Sequence, residues 1–467
     1  MTKTIKSFAA LLLFAAAVFG GYLLSGPLSE MDQKGEAEKP LLPYTRPDRE
    51  KLEEIGLQPF ESLLPVVHID TDGARITREN RVQAVLALQN EGGAPNDVPG
   101  QADDTQHIRI HLRGASSYAY FDKAQYRLEF YKDSDGRKEM DYPFLGMSSH
   151  SEWVLHGPFL DRSLLRNDLA YSVSRKILDW APDSRFCEVF LNGEYQGVYL
   201  AVEPVTSGDH RLNLSPFGLV SGQTSYVVKR DRAYTEENEI NIPDSPIAGL
   251  SETRLSIDYP RPKNLTSIQA EWIARDIRSI EARINSKDFA DPEKGYRKVL
   301  DAEAFADYLI ISEVTMNTDA GALSTYYYKD LQGKLKITVW DFNNAFDNNQ
   351  WSSADYEDFI LTDRPWFQRL LQDRAFVDQV LVRYAELRQS ILSDASLNKS
   401  IDADVAELGM AAERNFAVWG YTFGSNLKEG PEPADYEAAV QGVKQALKKR
   451  LDFLDRHLID LYKGTIN

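Results

Sequence analysis

One cysteine, Cys187, occurs in 467 residues, so no intramolecular disulfide can form and zinc sites built from several thiolates are excluded. Its apolar neighbours Phe186 and Val189 mark it as a buried structural thiol. Histidine is scarce too: seven are scattered along the chain with no H-E-x-x-H, which leaves a zinc hydrolase without a ligand set. Positive charge is in deficit. With 53 Lys and Arg against 71 Asp and Glu the net charge is −18, and a nucleic-acid partner, which needs clustered cations to displace counterions, is not expected. Internal repeats and low-complexity blocks are missing. A chain with 43% hydrophobic and 11% aromatic residues can instead bury a large core, and its length fits two or three domains or one bilobal unit.

Lys3 and Lys6 precede an uncharged run from Phe8 to Leu24, the layout of a secretory signal or an uncleaved anchor. At the helical rise the run spans about 25 Å, slightly short of a hydrocarbon core of roughly 30 Å. No clear small-residue cleavage site follows it and there is no lipoprotein cysteine, which favours an anchor over a cleaved signal. Either way the rest of the chain is expected to be exported, periplasmic or at the cell surface, with the N-terminus inside and membrane contact through residues 1–25 only. Residues 26–62, rich in Pro, Lys and Glu, read as a flexible tether.

Alternation predicts strands at Val66 to Asp70, Gln83 to Leu88, His107 to Arg113, Tyr126 to Tyr131 and Glu152 to Leu155, with a long polar loop from Asn90 to Thr105. Asp161 ahead of Leu164, Leu165, Leu169, Val173 and Ile177 predicts a capped helix over Arg162 to Leu178. Asn192-Gly193 between Arg185 to Leu191 and Tyr195 to Val202 predicts a hairpin with a primed turn. Helices are expected over Ser267 to Ile284, Ala302 to Val314 and Tyr436 to Tyr462. The order sheet, then helices, gives an α+β chain with a β-rich N-terminal part (63–265), a helical C-terminal part (266–467) and a cleft between them.

The segment Val339 to Asn343 carries the most chemistry. It offers Asp341 at the end of an apolar run, and Asp319 stands in a polar turn after an apolar helix, the two joined by a hairpin with Gly333 at its turn. A carboxylate at the end of an apolar strand costs several kcal/mol, of order 2–7, unless paired, protonated or metal-bound. Phosphoryl transfer needs two such acids, one holding a divalent metal on the phosphates and one accepting the proton of the attacking hydroxyl. The bland alternative for each is a salt bridge or a turn cap. Arg113 to Ser117 forms a small-residue loop whose amides and hydroxyls, Ser116 and Ser117 among them, can meet phosphate oxygens, although such loops are more often plain turns. Lys123 is a fixed charge beside it. Arg166 and Asn167 sit near a helix N-terminus, where an anion is favoured, or tie the helix to the sheet. Glu203, at a strand end, can orient Lys123 or contact a nucleotide.

Taken together, Arg113 to Ser117, Lys123 to Arg127, Asp161 to Asn167, Leu191 to Leu200 and Trp340 to Asn343 make the sequence resemble the CotH kinase family across roughly Leu63 to Trp419. The resemblance implies an atypical protein-kinase-like fold that binds ATP with Mg or Mn and phosphorylates Ser or Thr of a protein substrate. It implies Asp319 as the catalytic Asp, Asp341 as metal ligand, Ser116, Ser117 and Lys123 on the phosphate side and Trp340 as a nucleotide neighbour; with it, Lys123 is expected to join Asp319 in catalysis, Arg113, Arg166 and Glu203 to contact the nucleotide, and Asn343 and Ser324 to join Asp341 as metal ligands. Two positions depart from the pattern. Ser324 stands where kinases place a metal-binding Asn, and Asn343 stands where many relatives have a second Asp; both reduce the ligand strength offered to a cation. The competing reading is a catalytically degenerate kinase-like envelope or surface protein acting as a binding or structural module. A carboxylate-pair glycosidase shares the acids, but the ordered motif set disfavours it.

Overall fold

The computed structural model describes residues 60–90, 95–98, 100–216, 222–232, 239–240, 253–348, 355–420 and 432–466. The expected leader and all but the end of the expected tether lie outside them; among the described residues no helix is long and apolar enough to cross a membrane. The first half forms β1 (Phe60–Ser62), β2 (Val66–Asp70), β3 (Val82–Gln89), β4 (Asn96–Val98), β5 (Asp104–Arg113), α1 (Ser116–Tyr120), β6 (Gln125–Tyr131), β7 (Glu152–His156), α2 (Arg166–Ser174), β8 (Ser184–Leu191) and β9 (Glu194–Val202).

Seven of these strands close into a barrel in the order β2, β3, β5, β6, β7, β9, β8. Antiparallel pairing was expected, and closure was not: β2 meets β8 in parallel, Val66 opposite Glu188. The seam is held at the primed turn between β8 and β9. Asn192 and Gly193 both take positive φ there, 50° and 76°, and Asn192 Oδ1 accepts the Thr71 N–H just past the end of β2 at 2.9 Å. The barrel interior follows from the period-2 pattern: Ile108, Ile110, Leu128, Phe130, Trp153, Leu155 and Val189 point inward and are almost fully buried. Cys187 is among them, its thiol pushed above its ordinary pKa by burial. The polar partners of that alternation, His111 and Arg113 on β5 and Gln125 and Arg127 on β6, therefore face outward.

The polar stretch expected as one loop, Asn90 to Thr105, instead contains β4, which pairs with β1, and the start of β5. Asn96 explains the first, since its side-chain amide donates to Leu64 O at 3.0 Å, a bond that hydropathy does not reveal.

The rest of the chain adds β10 (Tyr226–Arg232), β11 (Glu239–Ile240), β12 (Thr253–Tyr259), α3 (Ser267–Ile284), α4 (Ala302–Thr315), β13 (Thr325–Lys329), β14 (Lys336–Thr338), α5 (Phe367–Leu370), α6 (Arg374–Arg388), α7 (Asp394–Leu408), α8 (Met410–Trp419) and α9 (Tyr436–His457). A second antiparallel sheet has the order β11, β12, β10, β13, β14, so it draws strands from both sides of residue 265. The molecule is thus mixed α+β. Helix α3 starts with a reciprocal capping box between Thr266 and Gln269. Helix α4 starts at the Asp301 cap and is buried on most of its surface, Phe305, Leu309, Ile310 and Ile311 included, which makes it the central pillar of the larger core. Near the end of the chain α8 returns to the barrel and lies against β9, where Trp419 Nε1 donates to Gln196 O at 2.8 Å, while Arg414 pairs with buried Glu188 of β8 at 2.6 Å.

Candidate functional site

A cavity of about 460 Å3 lies between the outer face of β5 and β6 and the second sheet. Arg78, Arg113 and Arg127 give its barrel side a basic wall, with His111 among them. Opposite stand Lys229 and Asp231 of β10, Asp258 of β12 and Tyr326 of β13. The segment after β14 and the turn after α4 complete it with Asp341, Asn343, Asn344, Trp340, Asp319 and Ser324. In a chain of net charge −18 this is a local concentration of guanidinium groups, which suits an anionic ligand.

The loop bearing Asp341 is positioned by its main chain. Asp341 has φ 62°, a left-handed conformation that a non-glycine residue keeps only when its surroundings enforce it. Helix α2 supplies the enforcement. The Asp341 N–H donates to Tyr171 Oη at 3.1 Å and the Phe342 N–H donates to Asn167 Oδ1 at 2.7 Å. Arg166 reaches Ala345 O at 3.0 Å and Phe346 O at 3.3 Å while paired with Asp161. Asp161 also accepts the Arg166 and Ser163 N–H groups, so it caps α2 from five residues upstream, and the helix begins later than the spacing predicts.

Asp341 is half-buried, and burial followed by the charge of Asp319 pushes its carboxyl up to about 6, against the pull of Arg113 and a Ser324 hydroxyl at 3.4 Å. Asp319 is also raised, by burial above all. Met316, in the left-handed conformation at φ 52°, ends α4, and Asn317 Oδ1 accepts the Asp319 N–H at 3.3 Å to hold the turn. Asn344 Nδ2 donates to Asp319 Oδ2 at 2.9 Å. Because a carboxylate only accepts, that bond fixes the amide's orientation; it leaves Asn344 Oδ1 buried with no partner.

Among the described residues no cluster of three or more His, Cys, Asp or Glu side chains is arranged to hold a metal ion. The donor chemistry nevertheless fits Mg or Mn: two mutually repelling carboxylates, an orphaned amide oxygen and a serine hydroxyl are hard oxygen ligands on one cavity. The residues that would hold such an ion are Asp341, Asn344 and Ser324, with Asp319 beside them.

Of the residues singled out in the sequence, Arg113, Ser117, Asp319, Ser324, Trp340, Asp341 and Asn343 line this cavity. Arg113 stacks over Trp340 at 5.6 Å. Ser116 lies on α1, and its side chain is outside the described residues. Three others are placed elsewhere. Lys123 is fully buried, its ammonium donating to Val198 O at 2.5 Å and to Asn415 Oδ1 at 2.6 Å, which joins α8 to the barrel. Glu203 accepts the Asp183 N–H at 3.1 Å. Arg166 supports the Asp341 loop from behind. The sequence reading did not single out His111, Arg127, Lys229, Asp231, Asp258 or Asn344. The polar alternation of β5, in which His111 and Arg113 alternate with Ile110 and Leu112, was the available signal for the first.

The family model described as CotH kinase protein matches residues 110–454. The inner spore coat protein H of Bacillus subtilis strain 168 is 23% identical over 254 residues, covering 53% of this chain and 62% of that protein, so the match spans less than two thirds of the relative's length.

Proposed function

The chain belongs to the CotH kinase protein family, and from that premise we propose that it transfers the γ-phosphoryl group of ATP to a Ser or Thr hydroxyl of a protein, with Mg or Mn, in a kinase-like interlobe cleft. The observation that carries this reading is the meeting of Asp319 and Asp341 on one cavity whose barrel wall is made of Arg78, Arg113 and Arg127. A bound divalent ion would neutralise charge on the phosphates. Asp319, its carboxyl raised by burial, accepts the acceptor hydroxyl proton as the oxygen bonds to the γ phosphorus and the bond to the β-phosphate oxygen breaks. Arg113 holds phosphate oxygens by paired N–H donors, and Asn344 orients Asp319. Trp340 and Tyr326, edge to face at 6.2 Å, offer an apolar surface for the base. Export of the chain is part of the proposal; it rests on the apolar run Phe8 to Leu24 and accords with the relative's name as a spore coat protein.

The test is incubation of the purified chain with γ-labelled ATP, Mg or Mn, and candidate acceptors, beside Asp319→Ala and Asp341→Ala. Label on protein from the unchanged chain alone supports the reading, and absence of label on every acceptor, the chain itself included, defeats it. A second reading, a kinase-like module that binds without turnover, is favoured by the lysine position: Lys123 is committed to Val198 and Asn415. Metal-dependent ATP binding without transfer would select it.

A further inference from the structure

Arg113 on the cavity wall and the main chain that carries Asp341 are joined by a single file of buried hydrogen bonds. Arg113 Nη1 donates to Gln125 Oε1 at 2.8 Å. The same oxygen lies 3.2 Å from His156 Nδ1. His156 Nε2 lies 2.9 Å from Asn167 Nδ2, and Asn167 Oδ1 accepts the Phe342 N–H at 2.7 Å. Gln125, His156 and Asn167 are each at least nine-tenths buried.

Both ends of this file are fixed by chemistry. A guanidinium only donates, so the Gln125 oxygen must be the atom facing Arg113, and as an acceptor it requires the proton of His156 on Nδ1. At the other end a backbone N–H only donates, so Asn167 presents its oxygen to Phe342 and its amide N–H to the imidazole, which therefore needs a lone pair on Nε2. The two requirements meet at one ring and are met by one tautomer, the neutral Nδ1–H form. A phenyl ring would fill the space and break the file at its middle. An imidazolium would point N–H at N–H. Burial first, and then the charge of Arg113, push the His156 pKa down to about 3, consistent with a ring that stays neutral. A fully satisfied buried network restricts its members to one arrangement, and a half-satisfied one does not.

We propose that His156 is a positioning residue for phosphoryl transfer: through Gln125 and Asn167 it sets the Asp341 segment against Arg113, so that the acid and the phosphate-facing cation are held in register across the cleft. The inference rests on the phosphotransferase reading above. Gln125 on β6, His156 at the end of β7 and Asn167 in the first turn of α2 belong to different elements, and the file adds a directional hydrogen-bonded link to the stacking of Arg113 over Trp340. His156 touches neither of the acids, so its effect is on placement.

The test is steady-state transfer by the full chain with His156→Phe, His156→Gln and Gln125→Met, with melting temperature and circular dichroism recorded for each. His156→Phe is expected to lower kcat 10- to 100-fold, a loss on the scale of outer-shell partners of metal ligands, and to raise the Mn concentration for half-maximal rate while KM for the acceptor stays within twofold. His156→Gln, which keeps a donor and an acceptor, recovers part of the loss. Folded His156→Phe with kcat within twofold of the unchanged chain overturns the inference; if that variant does not fold, Gln125→Met carries the same comparison. A measurement without any substitution stands beside these. Long-range proton–nitrogen spectra of the protein labelled with nitrogen-15 histidine should show one ring protonated on Nδ1 alone from pH 5 to 8 and lost in His156→Gln, and an Nε2–H or doubly protonated ring at pH 7 overturns the file. An unchanged chain that transfers no label fails the phosphotransferase reading itself, a result distinct from an active chain indifferent to His156.

Discussion

Asn344 gives its amide N–H to Asp319 at 2.9 Å while its own carbonyl oxygen, buried beside the same cavity, is bonded to nothing. An unsatisfied buried acceptor costs about 1–3 kcal/mol, and a site for a hard cation is a place where that cost is returned on binding. Asn344→Leu should therefore weaken Mn binding 10- to 100-fold and release Asp319 from its orienting bond. Titration calorimetry of Mn with ATP against the unchanged chain and the variant is the check; equal affinities would leave Asn344 a purely structural residue.

Lys123 gives a contrasting expectation. Its ammonium is spent on Val198 O and Asn415 Oδ1 and it does not line the cavity, so Lys123→Met should leave KM for ATP within twofold. Lys123→Ala, which also opens a hole in a packed interior, should lower stability by about 2–4 kcal/mol. Urea denaturation and steady-state kinetics on the same preparations separate the two roles. A tenfold rise in KM with Lys123→Met would show that the lysine reaches the nucleotide.

Breaking the buried pair Glu188 and Arg414 should be costly. Glu188 is fully buried and Arg414 nearly so, with two N–H donors at 2.8 and 2.6 Å from the carboxylate. Arg414→Met leaves the carboxylate without its counter-ion and should destabilise by about 3–5 kcal/mol, whereas Glu188→Leu with Arg414→Met together should cost less. Chemical denaturation of the two variants gives the comparison directly, and equal losses would contradict it.

His156 also fixes a pH dependence. Its folded pKa, about 3, is below the ordinary value of about 6.5, so the unfolded chain binds a proton that the folded chain refuses. The associated stability is whole above pH 6.5 and is lost as pH falls from there toward 3, at about 1.4 kcal/mol per pH unit. Between pH 7.5 and pH 5 the unchanged chain should accordingly lose about 2 kcal/mol more than His156→Gln, seen as a shrinking gap between their urea midpoints. A gap that stays constant with pH would mean that the ring takes up its proton alike in the folded and the unfolded chain.

Much of the architecture was legible because local pattern and tertiary context agree. The strand Val66 to Asp70, the helix Ser267 to Ile284 and the Asn192-Gly193 hairpin appear where alternation, a capping residue and a primed-turn pair place them. Closure of the barrel was not legible: it joins β2 to β8 across more than a hundred residues, and no local periodicity encodes which strand is next to which. The late start of α2 has a similar origin, since Asp161 bonds to the Arg166 N–H from beyond the usual capping distance. At the site, Asp319 and Asp341 stood out because each ends an apolar element. Lys229, Asp231 and Asp258 did not, because single charged residues on a strand resemble any solvated face until the opposite wall is in place.

Helix α8 has a consequence for the order of events during synthesis. The barrel strands β8 and β9 are sealed by Arg414, Asn415 and Trp419, more than two hundred residues downstream. A nascent chain that has already displayed all seven barrel strands still lacks their lid, leaving Glu188 and Lys123 without their distant partners. Ribosome-bound fragments stopped before Met410 should accordingly stay protease-sensitive throughout the barrel, with resistance arriving late and all at once.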